Sequence, residues 1–104
     1  MFEDFNFGEK VSKIYRFSNI DEKLRFDEQL YSYKEDMLYV CYEKDYVLDI
    51  GWYPDFDPKG SFKIVVVKND DWDNPVLMKR CKKINVLKKY IKKFVIYIQK
   101  EIGK

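Results

Sequence analysis

Hydrophobic alternation is sharpest between residues 46 and 53. Tyr46, Leu48, Ile50 and Trp52 fall on one side and Val47, Asp49, Gly51 and Tyr53 on the other, the period-two pattern of a strand. Upstream, Tyr31 and Tyr33, then Met37-Leu38-Tyr39-Val40-Cys41-Tyr42, are rich in strand formers, with Lys34-Glu35-Asp36 as a turn between them. Glu43-Lys44-Asp45 makes the next turn. Downstream, Phe62 to Val67 contains an unbroken Ile-Val-Val-Val, which predicts a central strand buried on both faces. Asp57-Pro58-Lys59-Gly60 reads as a type I turn, with Pro at its second position and Gly at its fourth. Short separations between these segments favour an antiparallel meander.

The period changes near the C-terminus. Leu87, Ile91, Phe94, Val95, Ile98 and Ile102 recur at helical spacing, flanked by Tyr90 and Tyr97. Lys88, Lys89, Lys92, Lys93 and Lys100 take the opposite face, and Ile96 falls among the lysines. Asn85 is a suitable N-cap for a helix from Val86 to Ile102, with Gly103 as its stop. The spacing of Val11, Ile14 and Tyr15 admits a short N-terminal helix, which Gly8 would limit. The pattern predicts an α+β domain over residues 1–104, an antiparallel β-meander packed against a C-terminal amphipathic helix.

Composition narrows the function classes. The chain has no His, so the commonest general base and metal ligand near neutral pH is missing, and no Cys-His or Ser-His nucleophile pair can form within it. Cys41 and Cys81 suit reduced thiols in a reducing compartment. No apolar run approaches the roughly 20 residues that span a bilayer. Met1-Phe2-Glu3-Asp4-Phe5 lacks the basic and apolar regions of a signal peptide, so a cytoplasmic location is expected. The net charge of +2 conceals a split. Residues 1–73 carry ten Lys/Arg against seventeen Asp/Glu, a net −7, and residues 74–104 carry ten against one, a net +9.

Two stretches then stand out as candidate binding loops, Trp52-Tyr53-Pro54-Asp55-Phe56-Asp57-Pro58-Lys59-Gly60 and Asn69-Asp70-Asp71-Trp72-Asp73-Asn74-Pro75. Each combines aromatic rings, carboxylates and proline, residues suited to holding a partner. Asp55, Asp57 and Gly60 match the first, third and sixth positions of a calcium loop, but Lys59 sits where an oxygen ligand belongs and Val66 replaces the closing Glu. A β-turn accounts for the same residues, so no metal or other cofactor is assigned, and no catalytic residues are assigned either. Asp49, in mid-strand, either lies on a solvated sheet face or meets a partner beside Tyr53. Trp72, between two acids, is either core or a contact anchor. The lysine face of the helix could neutralise phosphates, but aromatic residues are not interleaved with its lysines and arginine is scarce. Its apolar face is needed for the core, which argues against a membrane surface.

Over Leu48-Asp49-Ile50-Gly51-Trp52-Tyr53-Pro54, Asp57-Pro58-Lys59-Gly60-Ser61-Phe62-Lys63-Ile64 and Asp71-Trp72-Asp73-Asn74-Pro75, the chain resembles bacterial immunity proteins that neutralise polymorphic and contact-dependent growth inhibition toxins. The likeness spans about residues 46–102. It implies a cytosolic, non-enzymatic inhibitor that occludes the active site or substrate surface of a cognate toxin domain. Many such toxins are nucleases with basic clefts, which an acidic body would meet favourably. The partner-facing residues expected on this basis are Asp49, Tyr53, Asp55, Asp57, Asp70, Asp71, Trp72 and Asp73. The alternative is a small nucleic-acid-binding module using the lysine-rich helix.

Overall fold

The computed structural model describes all 104 residues apart from the side chain of Asp4. Five strands form one antiparallel sheet in chain order: β1 (Val11–Arg16), β2 (Leu38–Tyr42), β3 (Tyr46–Tyr53), β4 (Ser61–Lys68) and β5 (Leu77–Cys81). A single long helix, α1 (Ile84–Ile102), follows after a two-residue link. This is the expected α+β meander with a C-terminal helix.

One face of the sheet is closed by α1. The other, open face carries no helix among the described residues, although Val47, Val65 and Val67 at its centre are buried, as expected for a central β4. On the closed face, Leu38, Val40, Leu48, Ile50, Phe62, Ile64 and Val66 are fully buried against Leu87, Ile91 and Ile98 of α1 and the N-terminal aromatics Phe2 and Phe7. Trp52 joins this core within a cluster of rings, 5.0 Å from Tyr33 and 4.9 Å from Phe62 between centroids, and its indole N–H donates to the Asp57 carbonyl at 2.8 Å. The helix buries the predicted residues Leu87, Ile91, Phe94, Val95, Ile98 and Ile102, and Ile96 is 55% exposed among the lysines. No helix among the described residues is long and apolar enough to cross a membrane.

Three expectations are corrected. Residues 11–16 form a strand instead of a short helix; the only N-terminal helical element is a single 3-10 turn, Phe2–Asp4. The reason is a β-bulge: Val11 pairs with Tyr42 and Lys13 with Cys41, leaving Ser12 as the extra residue. The bulge moves the next core-facing side chain from residue 13 to Ile14, which imitates a helical spacing of three. Leu30–Ser32, which precedes the expected turn at 34–36, is a 3-10 turn and not a strand. Finally, α1 begins at Ile84 with Lys83 as its N-cap and no side-chain capping bond, so Asn85 lies inside the first turn. Ile84 packs against the core, which brings it into the helix's first turn. Gly103 does end the helix, at φ −74° and without a left-handed conformation. β5, with exposed Met78, Lys79 and Arg80, carries no apolar alternation and is visible only in the structure.

Cys41 and Cys81 are free thiols. They sit on β2 and β5, with two strands between them at about 4.8 Å per step, too far apart for a disulfide.

Candidate functional site: the open face of the sheet

Alternation along the strands and their register place Tyr15, Tyr39, Asp49, Val65 and Met78 in one row across the open face, from β1 to β5. No helix covers this face. Phe17 stacks on Tyr15 at 6.0 Å and 6°, Tyr15 meets Tyr39 at 6.0 Å, and Tyr39 stacks on Trp72 at 6.1 Å and 23°. Four rings from β1 and its end, β2 and the β4–β5 loop thus form a continuous row. Phe17, Trp72 and Met78 are each about half exposed, at 50%, 45% and 50%. Clustered exposed apolar surface of this kind marks an interaction site, whereas isolated surface hydrophobics do not.

Trp72 is neither core nor free. Asn69 and Asp70 both adopt left-handed backbone (φ 56° and 57°), which turns the chain out of β4, and the Val76 N–H donates to the Val66 carbonyl as the loop returns. The loop thereby lays Trp72 and Pro75 back over the sheet. Beneath them a cavity of about 90 Å³ is lined by Asp49, Tyr53, Lys63, Val65 and Trp72. That is smaller than the roughly 300 Å³ at which small-molecule sites begin, and it has room for one side-chain head group.

Electrostatics in this cavity are mixed. Burial pushes the Asp49 carboxyl up from 3.8 to about 6; Asp36 adds to the rise, while Lys63 and the Ile50 N–H oppose it. Burial also raises Tyr53, with Asp49, Glu35 and Asp36 adding to the rise and Arg80 opposing it. The Tyr53 ring carries two cations, Lys63 Nζ at 5.5 Å and the Arg80 guanidinium at 6.0 Å from its centroid. Burial raises Tyr39 as well, with Cys41, Asp70 and Asp49 contributing. No cluster of three His, Cys, Asp or Glu suited to a metal occurs among the described residues.

The structure brings together Asp49, Tyr53 and Trp72, with Asp70 beside Tyr39. It does not unite the two acidic loops. Asp55 and Asp57 follow β3, whereas Asp70, Asp71 and Asp73 follow β4, so the groups lie at opposite ends of an eight-residue strand, roughly 24 Å apart. Two of these acids hold the backbone and a third holds a side chain. Asp55 accepts the Glu35 N–H, Asp57 Oδ1 accepts the Lys59 N–H at 2.8 Å, and the Asp71 carboxylate accepts from Asn74 Nδ2 at 3.3 Å. Asp73 is exposed. Sequence reasoning missed Tyr15, Phe17, Tyr39, Lys63, Met78 and Arg80. The alternation of Tyr15 and Phe17 was a usable signal, but it lay in a segment whose spacing suggests a helix.

Comparison with family models, curated proteins and solved structures gave no match.

Proposed function

We propose that this chain is an immunity-type inhibitor that captures a cognate toxin domain on the open face of its sheet and thereby occludes the toxin's active or substrate-binding surface. The observation that carries the reading is the aromatic row Phe17–Tyr15–Tyr39–Trp72 beside the Asp49 cavity, in which Tyr15, Phe17 and Trp72 are exposed. Rigid aromatic side chains with polar groups at their margin are the usual energetic centre of a protein interface. The pattern shared with immunity proteins supplies the class of partner. The acids near this face, Asp36, Asp49 and Asp70, suit a partner with a basic surface. In this reading the protein acts by binding alone, in the cytoplasm, without a cofactor.

The test is capture kinetics against a toxin domain, should a neighbouring gene encode one. Trp72→Ala and Tyr39→Ala should each weaken binding at least about tenfold, mainly through faster dissociation. Reversing Asp70 and Asp73 to Lys should slow association and flatten its salt dependence. Unchanged dissociation rates in both aromatic variants would remove the open face from the interface.

A second reading has its own observation. Lys89, Lys92, Lys93 and Lys100 are exposed along α1, and Lys88 pairs with Glu22. A nucleic-acid module using this stripe predicts low-salt binding to generic RNA or DNA with a steep salt slope, lost when these lysines become Gln. The absence of such binding eliminates it.

A further inference from the structure

Resting on the interface reading above, we infer that the Asp49 cavity is a receptor for a single arginine side chain of the protein partner, with the guanidinium against Trp72 and forked onto the Asp49 carboxylate.

Three observations converge on that occupant. The first is size: about 90 Å³ under Trp72 takes one head group and no metabolite. The second is an unspent charge. Asp49 enters no ion pair among the described residues. Lys63, which lines the same cavity, lies over the Tyr53 ring with Arg80 and forms no ion pair with Asp49. A half-buried carboxylate with no ion pair, its charge favoured at a distance by Lys63 alone among the cations, gains from a cation that arrives with the partner. The third is shape. Trp72 lines the cavity and offers a flat π-face there, held in place by its stacking on Tyr39 at 23°. A planar guanidinium can stack on such a face while donating two hydrogen bonds to one carboxylate; an ammonium cannot do both.

The groups facing Asp49 come from every neighbouring element: Asp36 before β2, Tyr39 on β2, Tyr53 on β3 and Lys63 on β4. An incoming arginine would stabilise the ionised carboxylate, so binding should require Asp49 deprotonated and should weaken as the pH falls below about 6.

The probe is methylguanidinium chloride, titrated into the full-length ¹⁵N-labelled chain at constant ionic strength. At pH 7.5, saturable shifts are expected at the amides of Asp49 and Val65 and at the Trp72 indole N–H, with a dissociation constant on the order of 10 mM for so few ligand atoms. Asp49→Asn should abolish saturation, Trp72→Ala should weaken it at least about fivefold by removing the stacking face, and lowering the pH to 5 should weaken it about tenfold. Methylammonium should bind more weakly. Dispersed spectra of both variants would show that they are folded. Linear shifts that persist in Asp49→Asn, or saturable shifts centred on Asp71 and Asp73, would overturn the assignment. Either result leaves the open-face interface to be decided by the aromatic variants, so the two failures can be told apart.

Discussion

Gly51 lies directly against the Glu35 backbone carbonyl: a Cβ on Gly51 would fall 1.9 Å from that oxygen. The segment bearing Glu35 is held there on both sides, by the Trp52 N–H donating to the Lys34 carbonyl at 2.8 Å and the Met37 N–H donating to the Ile50 carbonyl at 3.1 Å. It cannot move away without losing those bonds. Gly51→Ala should therefore cost about 3 kcal/mol, at the upper end for overpacking because the obstacle is backbone. Urea denaturation measures this, and a loss below about 1 kcal/mol would mean that the segment yields.

Asp57 separates a structural role from a contact role. Its carboxylate accepts the Lys59 N–H at 2.8 Å, and its carbonyl accepts both the Trp52 indole N–H and the Gly60 N–H. Asp57→Ala should cost about 1 kcal/mol by freeing the turn that seats Trp52, whereas Asp73→Ala, on an exposed acid, should change stability by less than about 0.5 kcal/mol. Equal stabilities of the two variants would return Asp57 to the list of free surface acids.

The two helix faces make a similar contrast. Ile98 is fully buried and Ile96 is 55% exposed, two residues apart on α1. Ile98→Ala should cost about 3 kcal/mol through lost burial and a residual cavity. Ile96→Ala should be close to neutral, since alanine's better helix propensity offsets the little surface lost. Thermal or urea unfolding of both variants reads the difference directly.

Much of this fold was legible because β3 and α1 are periodic through their whole length, and the unbroken apolar run of β4 marks a central strand that the structure buries on both faces. The edges were not. β1 hides its alternation behind the bulge at Ser12, and β5 has no apolar alternation because it lies at the sheet's rim. The candidate site was legible in the same uneven way. Asp49, Tyr53 and Trp72 were recognisable from chemistry, and the fold brings them together. Tyr39 became part of the site only once register set it opposite both Asp49 and Tyr15. The two acidic loops look alike in sequence, yet an intervening strand separates them. Proximity along the chain does not reveal that strand's length as a distance in space.

Asp49 yields the last prediction, from the sign of its shift. Its carboxyl titrates at about 6 in the folded chain against 3.8 for an unburdened group, chiefly because of burial and next because of Asp36. Between roughly pH 4 and 6 the folded state holds a proton that the unfolded state has lost, so its contribution to stability falls as the pH rises through that window. Below the window Asp49 is neutral in both states and costs nothing. Above it the ionised carboxylate is a standing penalty of about 1–2 kcal/mol, after allowance for its partial exposure. Asp49→Asn keeps the shape and removes the charge. The variant should therefore be the more stable protein at pH 7.5 by about that amount, with the gap closing towards pH 4.5. Urea midpoints at pH 4.5, 6 and 7.5 measure the gap, and one that does not change with pH would contradict the assignment. A variant that gains stability while losing guanidinium binding would identify Asp49 as a carboxylate kept for contact at the expense of the fold, the trade-off found where function requires an unpaired buried charge.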